Sequence, residues 1–143
     1  MLSILLGSII LGSGTAVQAR DTKLILPIKD ALNYSGKKSS AAEVLDPDIK
    51  LVFGYSNGGK IIEKDVVSNK KTNAFNKSDE EACHWAFLSA VKAFQQRAKN
   101  MNATKIVNLV SYYKKNEFKS RTEYECHAGA VVAGVALKGD IVK

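Results

Sequence analysis

Proline, tryptophan and cysteine are scarce in this sequence, and a nucleotide-binding loop is missing. The 143 residues include two prolines, two cysteines and one tryptophan. The stretch from Ser56 to Lys60 reads Ser-Asn-Gly-Gly-Lys, which has neither the spacing of a Walker phosphate loop nor a Ser or Thr after the lysine. No other convincing catalytic constellation stands out. We therefore predict that the protein neither hydrolyses ATP nor acts as an enzyme.

Charged side chains are also missing from residues 1–19. An apolar run from Ile4 to Leu11 is followed by Val17-Gln18-Ala19, which fits signal-peptidase cleavage before Arg20. The run is shorter than the ~20 residues that span a bilayer, and no cysteine directly follows it to carry a lipid. We predict a signal peptide at residues 1–19, with a buried N-terminal strand or helix as the alternative. The mature chain is then periplasmic or secreted and does not span a membrane.

Length and composition predict a single domain. Apolar residues make up 45% of the chain and charged residues 24%, which is typical of globular proteins. Within residues 20–143 we expect N-terminal strands and loops over 20–68 and a core helix–strand–strand unit over 69–143. The predicted fold class is α+β, with one main helix packed on a mostly antiparallel sheet in a β-α-β-β core.

The clearest predicted element is a helix that begins after Ser78. Glu81 follows Ser78 by three residues, which is the pattern of a capping box. Good helix formers extend from Ala82 to about Lys99, and Asn102 tolerates the left-handed conformation that ends helices. The face that should pack on the sheet is an apolar stripe with spacings of three and four: Cys83, Phe87, Ala90, Phe94, Ala98 and Met101.

Runs of β-branched and aromatic residues predict strands on both sides of this helix. After it, residues 105–113 and 121–137 are typical of an antiparallel hairpin with a polar loop between its strands. Before it, residues 49–55 predict a strand that turns at Ser56–Gly59 into the next strand. Residues 65–72 predict a weaker strand that leads to the helix.

Two cysteines in an exported chain indicate one disulfide, because compartments outside the cytoplasm are oxidising. Cys83 falls in the first helical turn on the apolar stripe, and Cys126 falls in the strand region that this stripe should cover. A Cys83–Cys126 bridge would join the helix to the sheet. In the chain-entropy model it would add roughly 4 kcal/mol of stability, less any native strain.

Each cysteine is followed by a histidine, so a zinc site made of Cys83, His84, Cys126 and His127 is the alternative. Zinc needs four converging ligands. Strand alternation directs His127 away from Cys126, and helical geometry places His84 about 100° around the axis from Cys83. We therefore expect a disulfide, two unrelated histidines and no cofactor, with metal binding as the alternative.

Glu123 and Glu125 share one face of a predicted strand, as a pair of catalytic carboxylates would. Glutamates on strands far more commonly form the solvated face of a sheet. We interpret both as exposed.

Basic residues outnumber acidic residues by 21 to 14, which gives a net charge of +7. Several lie beside aromatic residues, a combination that suits anionic surfaces. Nucleic acid is not an expected partner of an exported protein. We expect an envelope protein or an anionic envelope surface instead, or no partner if the charge serves solubility alone. Most of the excess is carried by Lys37-Lys38, Lys70-Lys71, Lys77 and the segment from Tyr112 to Arg121.

Four runs in the second half of the chain are distinctive. They are residues 69–75 (Asn-Lys-Lys-Thr-Asn-Ala-Phe), 78–83 (Ser-Asp-Glu-Glu-Ala-Cys), 111–117 (Ser-Tyr-Tyr-Lys-Lys-Asn-Glu) and 124–129 (Tyr-Glu-Cys-His-Ala-Gly). They resemble the runs of a group of exported bacterial proteins that are often labelled excinuclease ATPase subunit. That label looks like a misnomer here, because the nucleotide loop is missing. The resemblance implies export and a shared fold, and it implies no known activity.

A more distant resemblance rests on the order helix, strand, loop and Ala/Gly-rich strand. Residues 102–106 (Asn-Ala-Thr-Lys-Ile) and 127–131 (His-Ala-Gly-Ala-Val) stand where YbjQ-like domains carry Gly-Ala-Asn-Ala-Val and Tyr-Gly-Thr-Ala-Val. The chain is thus similar to the YbjQ-like family, sometimes labelled heavy-metal binding, and to the related domain of the stress sensor RcsF. This resemblance implies the α+β fold and, for many YbjQ-like domains, a ring-shaped homo-oligomer.

Together these observations predict a small exported, non-enzymatic protein that binds a partner or senses the state of the cell envelope. One disulfide is expected to stabilise it. The alternative function is metal binding through the two cysteines and a histidine.

The first prediction concerns processing and the thiols. Protein purified from the periplasm should have the mass of a chain that begins at Arg20 and should take up no alkylating reagent until it is reduced. Intact mass spectrometry with and without reductant measures both. An uncleaved chain with two free thiols would contradict the assignment of the compartment.

Overall fold

Most of the described chain belongs to one sheet and one long helix. The computed structural model describes residues 20–56 and 58–143, so the predicted signal peptide at residues 1–19 lies outside the described residues. The predicted α+β class is confirmed. The elements are β1 (Thr22–Pro27), α1 (Ile28–Leu32), α2 (Ala41–Val44), β2 (Lys50–Phe53), β3 (Ile61–Asn73), α3 (Asp79–Asn100), β4 (Lys105–Ser111), a short 3-10 helix (Tyr113–Lys115), β5 (Glu123–Ala128) and β6 (Val132–Val142).

Helix α3 begins and ends where the sequence predicts. The Ser78 hydroxyl accepts a hydrogen bond from the Glu81 backbone N–H at 3.1 Å, and Asn102 takes the left-handed conformation with φ of +55°. The predicted stripe is buried from Cys83 to Ala98. Helix-forming residues, a cap and an apolar face therefore agree over the whole element.

The sheet is arranged around β6. One edge of β6 pairs antiparallel with β3, from Ile61↔Val142 to Asn73↔Val132. The other edge is divided, because β5 pairs with the start of β6 and β4 pairs with its second half, both antiparallel. Strand β1 lies antiparallel beside β5, and the short β2 lies parallel beside β4.

The predicted hairpin after the helix is wrong in its pairing. Residues 121–137 form two strands, β5 and β6, separated at residues 129–131, and β4 pairs with β6 rather than β5. Gly129 lies at the break, where a Cβ atom would stand 2.9 Å from the Arg20 carbonyl oxygen. The sequence predicts one continuous strand over residues 121–137, because the Ala/Gly/Val composition of its second half has no turn signal other than glycine.

The predicted hairpin before the helix is also wrong. Strand β2 pairs with β4 in parallel, whereas β3 pairs with β6, so β2 and β3 are not partners across the turn that begins at Ser56. Strand β3 is also longer than expected, with 13 residues from Ile61 to Asn73. The turn signal is local, whereas β3 gains an extended main-chain ladder with the central strand β6.

The core lies between α3 and the face of the sheet that it covers. Phe87 packs on Tyr124 with 4.3 Å between ring centroids, and both side chains are fully buried. The predicted disulfide is present, joining Cys83 on α3 to Cys126 on β5 with Cα atoms 5.8 Å apart. The link spans 43 positions of sequence and ties the second turn of the helix to the sheet.

A buried carboxylate on β6 holds an irregularity in each neighbouring strand. Asp140 Oδ1 accepts from the Asp65 backbone N–H on β3 at 2.9 Å, and Oδ2 accepts from Asn108 Nδ2 on β4 at 2.8 Å. Asp65 and Asn108 both have φ of +55°, and both ladders change register beside them. A single side chain therefore satisfies donors at two β-bulges.

Replacing this carboxylate tests its role. Asp140→Ala should lower the free energy of unfolding by about 1–3 kcal/mol, because two partly buried donors lose their acceptor. Urea denaturation measures the change. The control Asp48→Ala removes an exposed carboxylate and should stay within about 0.5 kcal/mol of the parent. Equal effects of the two substitutions would show that Asp140 does not hold the bulges.

Candidate binding surface

The four residues of the alternative zinc site do not converge. Cys83 and Cys126 are bonded to each other, so neither sulfur is free to coordinate a metal. His84 lies on α3 and hydrogen-bonds to Tyr124, whereas His127 on β5 bonds to carboxylates. Within residues 20–56 and 58–143, no group of three or more His, Cys, Asp or Glu side chains is arranged to hold a metal ion. The geometry gives metal binding no support.

His84 belongs to a buried aromatic cluster. Its Nδ1 lies 2.8 Å from the Tyr124 hydroxyl, and the Tyr34 ring lies 5.4 Å away. Desolvation by burial lowers the pKa of His84, although the Asp30 and Glu80 carboxylates act in the opposite direction. Burial likewise raises the pKa of Tyr124. Both side chains are therefore held neutral in a contact that closes one side of the core.

His127 is held by a separate set of contacts. Nε2 lies 2.6 Å from Glu125 Oε2, and Nδ1 lies 3.0 Å from Asp21 Oδ1. The Tyr113 ring stacks on the imidazole with 3.5 Å between centroids and 12° between planes. Both ring nitrogens thus face acceptors, and the arrangement joins β5 to the segment before β1 and to the 3-10 helix.

The interpretation of both strand glutamates as exposed is wrong for Glu125. Glu123 is exposed, but Glu125 is buried beside His127, with Lys23 Nζ 3.8 Å from its Oε1. Strand alternation assigns the correct face, but it does not show that Tyr113 covers that face. The spacing of Glu125 and His127, two residues apart on one strand face, is the sequence signal that predicts their contact.

Three basic residues predicted to carry the charge excess meet at one groove. Lys37 and Lys38 come from the loop after α1, and Lys77 comes from the loop before α3. The groove has a volume of about 780 Å³ and is also lined by Tyr34, Phe75, Trp85 and Glu81. We call it the aromatic–basic groove. Residues distant in sequence thus form one surface of cations and aromatic rings.

The groove adjoins an exposed apolar tip, which we define as Phe75, Val131 and Val132. The side chains of Phe75 and Val131 are 65% and 63% exposed. The two loops that carry them are joined by a hydrogen bond from the Ala74 N–H to the Val131 carbonyl at 2.7 Å. Asn73 Oδ1 also accepts from the Phe75 N–H at 2.8 Å. The exposed Phe75 ring and the valine methyl groups are therefore presented on hydrogen-bonded backbone.

The aromatic part of the groove is anchored in the fold. Tyr34 packs edge-on against Trp85 with 5.4 Å between ring centroids and 87° between planes. Lys77 Nζ donates to the Asn73 carbonyl at 2.9 Å, which fixes the lysine beside the tip. The rings and the Lys77 ammonium are thus positioned before any partner arrives.

Arg121 and Lys114 of the predicted basic segment, and Lys138 outside it, lie on aromatic rings of the protein itself. Arg121 lies 4.1 Å from the Tyr55 ring centroid, Lys114 lies 5.5 Å from that of Tyr113, and Lys138 lies 4.6 Å from that of Tyr112. Lys138 Nζ also contacts Glu117 at 3.2 Å, a contact that raises the pKa of Lys138. These cations have intramolecular partners.

Comparison of the chain with family models, with curated proteins and with solved structures finds no match. The resemblances to the exported bacterial group and to YbjQ-like domains therefore stay predictions. None of the helices in the described chain is both long and apolar enough to cross a membrane.

The lowered pKa of His84 predicts how stability depends on pH. The folded state resists protonation of His84, whereas the unfolded state takes up the proton near the ordinary pKa of about 6.5. The stability that depends on a neutral His84 is fully present above that pH. It is lost as the pH falls through the lowered pKa of the folded state. The free energy of unfolding should fall from pH 7 to pH 5, as measured by urea denaturation.

The variant His84→Gln isolates the contribution of His84. It keeps polar atoms near Tyr124 but has no ionisable ring, so its stability should fall less steeply between pH 7 and pH 5. Parallel pH profiles for the parent and His84→Gln would rule out His84 as the source.

Proposed function

We propose that the chain is an exported, non-enzymatic binding module that attaches to an anionic lipid surface of the cell envelope. The observation that carries this proposal is the apolar tip beside the aromatic–basic groove. The tip supplies side chains that enter the interfacial layer, and Lys37, Lys38 and Lys77 lie next to it to meet headgroup phosphates.

The energetics favour a reversible peripheral attachment. A lysine near an anionic membrane surface contributes about 1 kcal/mol, and burial of a phenylalanine side chain contributes roughly 1.5–3 kcal/mol. Three lysines and Phe75 together can offset the loss of translational freedom without a lipid anchor. The fixed backbone of the tip adds to this, because little loop entropy is lost on binding.

Export is part of the proposal and is supported by two features. The apolar N-terminal run predicts secretion, and the Cys83–Cys126 disulfide fits an oxidising compartment. The proposed relation to YbjQ-like and RcsF-like domains rests on the sequence runs, because α3 is followed by three strands where the resemblance expects two. A role in envelope sensing would use the same attachment.

Vesicle binding tests the proposed surface. The parent should co-sediment with vesicles of phosphatidylglycerol and phosphatidylethanolamine, and binding should weaken with added salt. Phe75→Ser should weaken binding about tenfold or more. The double variant Lys37→Glu/Lys38→Glu should weaken it about thirtyfold or more.

Matched controls remove similar groups elsewhere. Val67→Ser removes an exposed apolar side chain from β3, and Lys92→Glu/Lys119→Glu reverses two exposed lysines outside the groove. Neither control should change binding more than about twofold, because the tip and groove are intact. Equal binding to phosphatidylcholine vesicles, or equal losses in variants and controls, would overturn the proposal.

A further inference from the structure

The outer edge of β3 is open. Among the described strands, β3 pairs only with β6. From Val66 to Asn73 its register with β6 is continuous, so this stretch is a regular strand. Every second backbone N–H and C=O in it points away from β6, toward a position where another strand could pair.

A groove runs between this edge and helix α3. It has a volume of about 560 Å³, with Phe94 of α3, itself buried, in its lining. Ala93 contributes only a methyl group to the helix side of the groove. The lining consists of residues 66–70 of β3 together with Ala93, Phe94, Gln96, Arg97 and Asn100 of α3.

Ser68 in this groove has a hydroxyl without a partner. The residue is only 7% exposed, and in the described chain its Oγ is the one buried side-chain nitrogen or oxygen atom that lacks a hydrogen bond. Buried polar atoms in folded proteins are nearly always paired. An unpaired hydroxyl in the lining of an open groove is a position where a bound chain can supply the missing partner.

The charges of the groove select an acidic occupant. Its lining contains the cations Lys70 and Arg97 and no acidic side chain. Glu63, which lies outside the lining, forms an ion pair with Arg97. Of the two cations in the groove, Lys70 is therefore the one that has no ion pair among the described contacts. The bulge at Asp65 ends the regular edge on one side, which limits pairing to Val66–Asn73.

From these observations we propose that an extended acidic segment of a partner protein adds to β3 as a further strand in this groove. Main-chain hydrogen bonds to the β3 edge hold the segment, the Ser68 hydroxyl bonds to it, and Lys70 pairs with an acidic side chain. A second copy of this chain is a poorer occupant, because it would bring Lys70 and Lys71 of both edges together in a protein of net charge +7. This inference is independent of the attachment to lipid.

A synthetic probe tests strand addition directly. We would use acetyl-(Thr-Glu)4-amide and two analogues in which either every Thr or every Glu is N-methylated. Strand addition requires that one methylation pattern abolishes binding while the other is tolerated, because only one edge of the peptide faces β3. Binding is measured by isothermal titration calorimetry, and the site by slowed amide hydrogen exchange along Val66–Asn73.

Variants on the two faces of β3 separate the groove from general electrostatics. Lys70→Glu should weaken binding of the probe about fivefold or more, whereas Lys71→Glu, on the opposite face of the same strand, should change it less than twofold. Ser68→Ala should weaken it about threefold. A (Thr-Lys)4 peptide should not bind.

Several results would overturn the proposal. Equal effects of Lys70→Glu and Lys71→Glu would show nonspecific charge attraction. Equal binding of both N-methylated analogues would exclude main-chain pairing. A dimer in analytical ultracentrifugation, with Val66–Asn73 protected before any peptide is added, would identify a second copy as the occupant.

Discussion

The division of one edge of β6 between two strands is the constraint on which the fold depends. Strand β5 pairs with β6 only at His127↔Gly134 and Ala128↔Ala133, after which β4 takes its place along the same edge. Strand β4 and β3 on the opposite edge both contain bulges where they pass Asp140, and this one carboxylate bonds to both. Strand β6 begins at Val132 of the tip, and its pairing with β3 leaves the opposite edge of β3 without a partner among the described strands.

The two faces of the sheet also separate two neighbouring residues of the sequence, Cys126 and His127. Cys126 faces α3 and is bonded to Cys83, whereas His127, the next residue, faces the opposite side and contacts Glu125. Alternation along β5 is sufficient to produce this separation. The same geometry keeps the two histidines apart and gives each its own contacts, with His84 among aromatic rings and His127 between carboxylates.

Local features of the sequence predicted the local structure well, and nonlocal features less so. The start of α3 follows from Ser78 and its end from Asn102, and the Cys83–Cys126 bridge follows from the positions of two cysteines on one helix and one strand. The strand pairings were wrong because pairing with β6 competes with every local turn signal, and this competition is not visible in any single segment. The burial of Glu125 was missed for a related reason, since the covering ring comes from a different segment.

The candidate surfaces were only partly predictable. The sequence shows basic and aromatic residues, but the aromatic–basic groove combines three segments that the fold brings together. The groove beside β3 depends on which strand is left at the edge of the sheet, and that in turn depends on the pairing of β6. Surfaces of this kind become visible only once the tertiary pairing is known.

The position of the disulfide has a mechanical consequence. One loop of the tip leads through Ser78 into the helical turn that carries Cys83, and the other loop follows directly after the strand that carries Cys126. A pulling force applied at the tip therefore reaches a covalent bond within a few residues on either path. The load is shared between helix and sheet before it can peel one from the other. A force on the tip would thus load this bond before it loads the core.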